Sequence, residues 1–320
     1  MVKRAPYYDG SDMMNLRKTL PRTWAWGLGA MALTLSACGG GNDAAQTSET
    51  VETEAAPQDN GARLDAVLAG DHRSDEEKAR DQHRHPKETL LFFGIEPGMT
   101  VVEISPGGGW YTQVIAPYLK TGGGKLYGAG FAPDGASERA LAATETFRET
   151  YVEQPEIYGD VELTYLGEGH HIAPAGSADA VVTFRNIHGW RDDGQAAAYF
   201  AEFYRALKPG GVLGVIDHRA DGADLPRDGS SGYMYTDDVI AFATEAGFDF
   251  EAASEINANP ADTKDHPFGV WTLPPVRRSS EIRGQDDPDF DRSAYDAIGE
   301  SDRMTLKFRK PLAADGALLE

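Results

Sequence analysis

A short β-branched run followed at once by glycines is the feature that most constrains the fold of this chain. Residues 99–104, Met-Thr-Val-Val-Glu-Ile, precede Ser105-Pro-Gly-Gly-Gly109, and apolar residues then recur at helical spacing from Trp110 to Leu119. A loop of small residues lets the backbone approach a ligand closely, and the first amides of the following helix are directed at it. The pattern therefore predicts an α/β unit that binds a ligand at this loop.

Strand and helix patterns continue to alternate along the chain. Two helices are predicted before the first strand, one opened by a capping box at 74–77 and one beginning at Pro86. Six further apolar runs are predicted to be strands, at 125–129, 161–166, 180–184, 212–216, 248–256 and 304–308, with helical patterns between them at 137–150, 195–207 and 236–246. This alternation predicts an α/β fold with a doubly wound, mostly parallel, seven-stranded sheet.

A long segment, about 45 residues rich in Asp, Pro, Asn and Gly, separates the last two predicted strands. If the strand at 248–256 runs parallel to the others, this segment leaves from the carboxyl edge of the sheet, where open α/β folds bind ligands. We therefore predict that it caps the pocket. Its side chains are candidates either to hold a substrate or to form a solvated loop, namely Asn257, Asn259, Asp262, Lys264, Asp265, His266 and Trp271.

Charge and cysteine content exclude several classes of function. The 320 residues include 30 Lys and Arg against 51 Asp and Glu, a formal net charge of −21. Nucleic-acid binding needs a clustered basic surface, so DNA and RNA are not expected as partners. The single cysteine, Cys38, excludes an internal disulfide and a cysteine-rich metal site.

The N-terminal segment has the features of an export signal. Basic residues precede a 12-residue apolar stretch at 24–35, which ends in Leu-Ser-Ala-Cys38. A membrane-spanning helix needs about 20 residues, so a permanent span is not expected. The pattern resembles the bacterial lipoprotein signal, which implies acylation of Cys38 and a position in the cell envelope, on the periplasmic side, with membrane contact only through the lipid. Translation starts at Met1 or at Met14.

These patterns predict three parts of the chain. A lipoprotein signal peptide occupies residues 1–38. Residues 39–62 are polar, lack Lys and Arg, and are predicted to form a disordered tether. Residues 63–320 are predicted to form one α/β domain, which is long enough for an enzyme.

The glycine loop is compatible with three chemistries. A nucleoside triphosphate loop needs Lys followed by Ser or Thr after the glycines, and neither pair is present. A dinucleotide loop beginning at Gly107 needs a small residue at the position of Thr112, so that pattern is incomplete. The spacing Glu103-x-Ser105-x-Gly107-x-Gly109 instead resembles motif I of the class I S-adenosylmethionine-dependent methyltransferases.

The resemblance extends over nearly the whole predicted domain, from about residue 86 to 311. It includes the segment 179–188 at the fourth strand and Leu207-Lys-Pro-Gly-Gly211 before the fifth. Residues 184–187 look like the corresponding segment of quinone-ring methyltransferases, and the stretch as a whole is similar to a group of bacterial predicted methyltransferases. The resemblance implies a Rossmann-like methyltransferase fold and S-adenosyl-L-methionine as the cofactor.

The resemblance also implies residues for the cofactor. Gly107 and Gly109, with Ser105 in the same loop, would lie beside the methionine part of the cofactor. Glu103 would either hold the loop in place by hydrogen bonds to it or contact the ligand directly. Family members usually bind the ribose hydroxyls with an acidic residue at the end of the second strand, but here the first carboxylate is Asp134. Either Asp134 reaches back, or the ribose is held differently, or the ligand is another molecule. Glu168 matches the region that meets the adenine, or lies in a solvated turn.

Catalytic candidates follow the fourth and fifth strands, whose carboxyl ends should face one cleft. The side chains expected there are Arg185, Asn186, His188, Trp190, Asp217, His218 and Arg219. Arg185 and Asn186 are assigned to the cofactor site. His188 is the first choice for a general base and His218 the second, because an imidazole can accept a proton at neutral pH. Asp217 and His218 form either a catalytic pair or a local loop contact.

No metal site is predicted, because the histidine pairs have unsuitable spacing. His83 and His85 are two residues apart and point away from each other on a helix, and His170 and His171 diverge on a strand. The predicted partner is a small-molecule acceptor, apolar or aromatic, as Trp110, Trp190 and Trp271 suggest. The oligomeric state is left open.

Two other functions compete with methyl transfer. A membrane-tethered binding protein without catalysis would explain why a domain of this fold carries an export signal, since fold alone does not determine function. A nicotinamide oxidoreductase is disfavoured by Thr112.

Overall fold

The computed structural model describes residues 59–134, 136–282 and 284–312. The predicted signal peptide, the acylation of Cys38 and residues 39–58 of the predicted tether lie outside the described residues. The first helix begins at Asn60, three residues before the predicted start of the domain.

Seven strands form one sheet, as the sequence predicts. The described residues contain eight strands, β1 Thr100–Ile104, β2 Lys125–Phe131, β3 Asp160–Leu166, β4 Ala178–Phe184, β5 Leu207–His218, β6 Asp249–Ser254, β7 Pro267–Val270 and β8 Arg303–Arg309. The sheet has the order β3-β2-β1-β4-β5-β8-β6. Strands β1 to β5 are parallel, and β8 is antiparallel to both β5 and β6. The strand order reverses between β1 and β4, which is where open α/β sheets form a ligand cleft.

The direction of β6 confirms where the long segment leaves the sheet. Because β6 and β5 are each antiparallel to β8, β6 points in the same direction as β1 to β5. The chain therefore leaves β6 at the carboxyl edge, on the side of the cleft. We call residues 257–302, between β6 and β8, the cap segment.

Eleven α-helices and a π-helical turn surround the sheet in the described part of the chain. They are α1 Asn60–Ala69, α2 Asp75–Ala79, α3 Asp81–Arg84, α4 Pro86–Phe93, α5 Thr112–Lys120, α6 Glu138–Phe147, the π turn Arg148–Val152, α7 Pro155–Tyr158, α8 Ile187–Asp192, α9 Ala196–Ala206, α10 Thr236–Glu245 and α11 Ser293–Ile298. Within these ranges no helix has both the length and the apolar character of a membrane span.

Four helices precede β1 in the described part of the chain: the two predicted helices form as α2 and α4, and α1 and α3 were not predicted. The predicted capping box forms, with the Ser74 side chain accepting from the Glu77 amide, and α2 is short and ends at Ala79. Proline disfavours helical backbone in the residue before it, and His85 turns at φ 40° just before Pro86 opens α4. The helix α1 lies upstream of both predicted helices.

Successive strand residues pack against helices on opposite faces of the sheet. Val101 lies in the core formed with α1, α4 and α5, whereas Val102 lies in the core formed with α8, α9 and α10. Each face is therefore covered by helices, and the doubly wound architecture is confirmed.

The cap segment is held by its own polar side chains and is not structureless. It contains β7 and α11. The buried Asn257 side chain donates to Thr89 Oγ1 and Thr305 Oγ1, and Asn259 donates to two backbone carbonyls of the same segment. Asp262 accepts from Tyr233 and pairs with His266 at 2.7 Å. These side chains stabilise the cap segment itself, which explains why the segment is rich in polar residues.

We expect Gly214→Ala to destabilise the fold. A Cβ at Gly214 in β5 would lie 2.6 Å from the ring of Phe93, the last residue of α4, whose side chain is fully buried against the sheet. Overpacking of this kind costs about 1–3 kcal/mol. Gly189→Ala in α8 is the control, because no described atom lies within 4 Å of its added Cβ, and alanine favours a helix. Urea unfolding that gives both variants the same stability would contradict this packing.

Candidate active site

Three neighbouring cavities lie at the carboxyl edge of the sheet. The central cavity, about 430 Å³, is bordered by the glycine loop and by residues including Arg84, Glu103, Arg185 and Asn186. The apolar cavity, about 280 Å³, shares the loop and is walled mainly by apolar residues such as Phe147 and Leu163. The cap cavity, about 210 Å³, lies between the ends of β4 and β5 and the cap segment. The cap segment thus borders the cleft, as the sequence predicts.

The glycine loop separates the central cavity from the apolar cavity. Ser105, Gly107 and Gly109 adopt left-handed backbone conformations, with φ of 46°, 60° and 78°. Added Cβ atoms at Gly107 and Gly108 would meet no described atom within 4 Å, whereas one at Gly109 would lie 2.3 Å from the Tyr151 ring. Gly107 and Gly108 therefore face open space, and Gly109 lets the loop pack on Tyr151.

Glu103 is a buried carboxyl group on the wall of the central cavity. It lies near the end of β1 and accepts a hydrogen bond from Thr112 Oγ1 at 2.7 Å. Burial raises the pKa of Glu103 to about 7, and the Thr112 hydroxyl opposes that shift. Thr112, which breaks the dinucleotide pattern, thus has a role in holding this carboxyl group.

Of three other residues assigned to the cofactor site, one borders the cleft and two do not. Asn186 donates to Ile104 O and Thr183 Oγ1, which ties the end of β4 to the end of β1 on the central cavity wall. Asp134 is exposed and pairs with His170 Nε2 at 2.8 Å. Neither Asp134 nor Glu168 borders any of the three cavities.

Hydroxyl groups are the polar side chains of the apolar cavity. Among its described lining residues there is no carboxylate, and Ser105, Ser137 and Thr144 supply oxygen atoms. Ser105 Oγ is buried and has no hydrogen-bond partner within the described chain. A polar ligand in this cavity would therefore bind to hydroxyls and backbone groups, which matches the absence of a carboxylate in β2.

Asp217 fixes the position of His188. The Asp217 carboxylate is fully buried at the end of β5 and accepts from the amides of Ile187, His188 and His218. It also pairs with His188 Nδ1 at 3.0 Å. Because the Asp217 carboxylate can only accept hydrogen bonds, the Nδ1 atom that faces it carries the ring hydrogen, and Nε2 carries the lone pair. His188 borders the cap cavity, so this Nε2 can accept a proton there.

His218 is the second histidine of the cap cavity. Its Nδ1 lies 2.5 Å from Ser301 Oγ, and its ring centroid is 5.4 Å from that of His188. Burial and the nearby His188 and Arg185 hold the pKa of His218 well below its usual range, so the ring is neutral at pH 7.

Donor atoms of His188, Asp217 and His218 lie within 4.8 Å of one another, a spacing at which such groups can hold a metal ion. Two features of the site disfavour a cation. The Asp217 oxygens already accept four hydrogen bonds, and Arg185 borders the same cavity. The Asp217 carboxylate instead pairs with the His188 ring, while the His218 ring pairs with Ser301 Oγ.

Three arginines pair with one carboxylate that borders the cap cavity. Glu300 pairs with Arg80, Arg84 and Arg303 at 3.0, 2.9 and 3.1 Å. Burial alone would raise the pKa of Glu300, but Arg84, Arg303 and Arg185 outweigh it and hold the pKa at about 2. Sequence reasoning missed Arg84 and Glu300, because 216 residues separate them and no local pattern marks the pair.

Two residues predicted to face the cleft do not. Trp190 is 4% exposed and packs on Tyr199 and Phe203. It lies two residues after His188 on α8, and this spacing turns it toward the opposite side of the helix, into the core. Arg219 pairs with Asp302 and Glu255 and anchors the cap segment. Both expectations were wrong, while Trp110 borders the central cavity and Trp271 the cap cavity.

Comparisons with known proteins show the fold. No family model matches the chain, and the search of curated proteins finds no match. The cyclase SpnF has a TM-score of 0.50 at 16% identity, over 77% of this chain and 86% of its own. Geranyl diphosphate C-methyltransferase from Streptomyces coelicolor A3(2) has a TM-score of 0.47 at 14% identity, covering 77% and 87%. A SAM-dependent methyltransferase from Aquifex aeolicus has 0.44 at 18%, covering 62% and 93%. The chain has a Rossmann-like methyltransferase fold.

We expect Glu300→Gln to destabilise the protein by about 3 kcal/mol or more, because it leaves three buried or half-buried guanidinium groups without their counter-charge. The carboxylate stabilises the fold above its unfolded pKa of about 4.5 and stops doing so as the pH falls toward about 2. The difference between wild type and variant should therefore shrink over that range.

Glu251→Gln is the matched control for this prediction. Glu251 pairs with Lys307 and Arg309 on the edge of the sheet, where solvent screens the charges, and its loss should cost under about 1 kcal/mol. Urea unfolding at pH 7 measures both variants. Equal effects of the two substitutions would mean that the Glu300 cluster does not hold the cleft together.

Proposed function

We propose that this protein transfers a methyl group from S-adenosyl-L-methionine to a small-molecule acceptor. The observation that carries the proposal is the glycine loop at the reversal of strand order, which opens on one side to an apolar cavity and on the other to a polar one. A ligand with an apolar ring at one end and a charged amino acid at the other suits this division. The resemblance to motif I of the class I enzymes points to the same cofactor.

The residues present fit this cofactor in three respects. Open space beside Gly107 and Gly108 leaves room for a chain to pass the loop. Phe147 and Leu163 offer apolar contacts for a purine, and the unpartnered Ser105 Oγ offers a hydrogen bond to a sugar hydroxyl. Glu103 is placed to accept a hydrogen bond from a cationic group in the central cavity. When bound, S-adenosylmethionine supplies an electrophilic methyl group on a sulfonium.

His188 is the general base of the proposed mechanism. Methyl transfer is an in-line displacement, so the protein chiefly aligns the acceptor, and a base is needed when the acceptor atom carries a proton. Asp217 keeps the proton of His188 on Nδ1. The Nε2 atom, on the wall of the cap cavity, then accepts the proton that the acceptor atom loses. Asp217 also stabilises the imidazolium that this transfer creates, as the aspartate of a hydrolase triad does.

Calorimetric titration of the full chain tests the cofactor assignment. We expect S-adenosylmethionine and S-adenosylhomocysteine to bind and NAD to give no response. A Cβ added at Gly108, which borders the central cavity, meets no described atom within 4 Å, so we expect Gly108→Val to keep its melting temperature and to lose binding of both nucleosides. Binding of NAD, or equal binding by the variant, would contradict the proposal. Binding without methyl transfer to any acceptor would favour the tethered binding protein.

His188→Ala tests the proposed base. We expect turnover to fall about 100-fold while affinity for S-adenosylhomocysteine stays within about twofold, since general-base catalysis contributes 10²–10⁴ in rate. Product nucleoside release with a panel of small acceptors, each carrying a transferable proton, measures the rate. His171→Ala is the control, because His171 is two-thirds exposed and pairs with Glu202 away from the cavities. Unchanged turnover in His188→Ala would remove His188 from the mechanism.

A further inference from the structure

One guanidinium group in the cleft has no counter-charge of its own. Arg80, Arg84 and Arg303 hydrogen-bond to Glu300, but within the described residues the Arg185 side chain makes no hydrogen bond or ion pair. Its Nε is buried and unpartnered. The acids around it make other hydrogen bonds. Glu77 closes the capping box with Ser74, Glu103 accepts from Thr112, and Glu300, which borders the cap cavity beside Arg185, accepts from the three other arginines.

Arg185 is also placed where a ligand would meet it. It borders both the central cavity and the cap cavity, so it lies where the two adjoin. It holds a left-handed backbone conformation, with φ of 64°, directly after β4, and its amide donates to Ile216 O at 2.7 Å. A buried unpaired charge and a strained non-glycine backbone each cost free energy, and features of this kind cluster at ligand sites.

The surroundings of Arg185 favour an anion over a cation. Arg84 borders the central cavity with it; the Arg84 Cζ lies 4.5 Å from the centroid of the Trp110 ring, and its buried Nη1 and Nη2 have no hydrogen-bond partner within the described residues. His218, which also borders the cap cavity, is neutral because burial, and after it the neighbouring His188 and Arg185, hold its pKa well below the usual range. Four arginines against the single carboxylate of Glu300 make the local charge positive, in a chain whose net charge is −21.

We propose that the methyl acceptor carries an anionic group, a carboxylate or a phosphate, which binds to the Arg185 guanidinium and places the rest of the acceptor beside His188 and Trp271. This inference rests on the proposed function. The cap cavity favours the acceptor as the source of the anion, because Arg185, His188 and Trp271 line it and the glycine loop does not. A guanidinium presents paired N–H donors that match the two oxygens of a carboxylate, and Arg185 thus becomes a residue that determines specificity.

Benzoate and its neutral counterpart benzamide are the probes for this site. The full chain is saturated with S-adenosylhomocysteine and each probe is titrated at constant ionic strength. We expect benzoate to bind and benzamide to bind at least about tenfold more weakly. In Arg185→Gln the preference for benzoate should disappear, with benzoate affinity reduced about tenfold or more, while S-adenosylhomocysteine affinity is unchanged. Arg227→Gln, which removes an exposed pair with Asp237, should behave as wild type.

A second pair of titrations identifies the source of the anion. If Arg185→Gln weakens binding of S-adenosylmethionine but not of its decarboxylated form, the residue holds the carboxylate of the cofactor and the proposal fails. Equal affinities for benzoate and benzamide in the wild type would also overturn it. If wild type does not bind S-adenosylhomocysteine but still binds benzoate through Arg185, the proposed function fails and the anion site stands.

Melting temperatures separate these outcomes from misfolding. Arg185 is half-buried and makes no hydrogen bond or ion pair within the described residues, and Glu300 keeps its three hydrogen-bonded arginines, so Arg185→Gln should be about as stable as wild type. Arg185→Lys keeps the charge without the paired donors and should bind benzoate with intermediate affinity. Should Arg185→Gln fail to fold, Arg185→Lys decides, and wild-type benzoate affinity in that variant would overturn the proposal.

Discussion

The arrangement of the cleft depends on one buried carboxylate, that of Glu300. It receives Arg80 and Arg84 from the helices before β1, and Arg303 from β8. Because Glu300 belongs to the cap segment, the same cluster joins three parts of the chain that are distant in sequence. The desolvation free energy of such buried charges offsets most of their Coulombic attraction. The main effect of the cluster is therefore to position groups, because it brings arginines to a cavity wall and keeps the cap segment beside that wall.

A second buried carboxylate organises the chemistry. Asp217 uses its oxygens on three amides and one imidazole nitrogen, which sets both the place and the tautomer of His188. The two carboxylates have complementary roles, since Glu300 pairs with three arginines and Asp217 orients the His188 imidazole through its Nδ1. Arg185 lies between them without a partner of its own. The acidic surface of the chain repels anions at a distance, so selection of an anionic acceptor would depend on contacts within the cleft.

Sequence patterns predicted the architecture and only part of the site. The sheet could be predicted from the hydrophobic periodicity and from the position of the glycines. Strands buried on both faces appear as apolar runs, and the loop after β1 needs residues that tolerate positive φ. His188 and Asp217 were found because parallel strands end at one edge. The Arg84–Glu300 pair could not be found, since tertiary contacts across hundreds of residues leave no spacing to detect. Trp190 was misplaced because the strand rule was applied beyond β4, where the chain had already begun α8. The export signal remains a prediction.

A crystal structure of the full chain with S-adenosylhomocysteine would show whether the glycine loop divides one ligand between two cavities. We expect the purine against Phe147 and Leu163 in the apolar cavity, and the homocysteine chain passing Gly107 and Gly108 into the central cavity near Glu103. Arg185 should remain free of the bound nucleoside. A ligand bound elsewhere on the sheet, or both cavities empty at saturating ligand, would mean that the loop does not bind the cofactor.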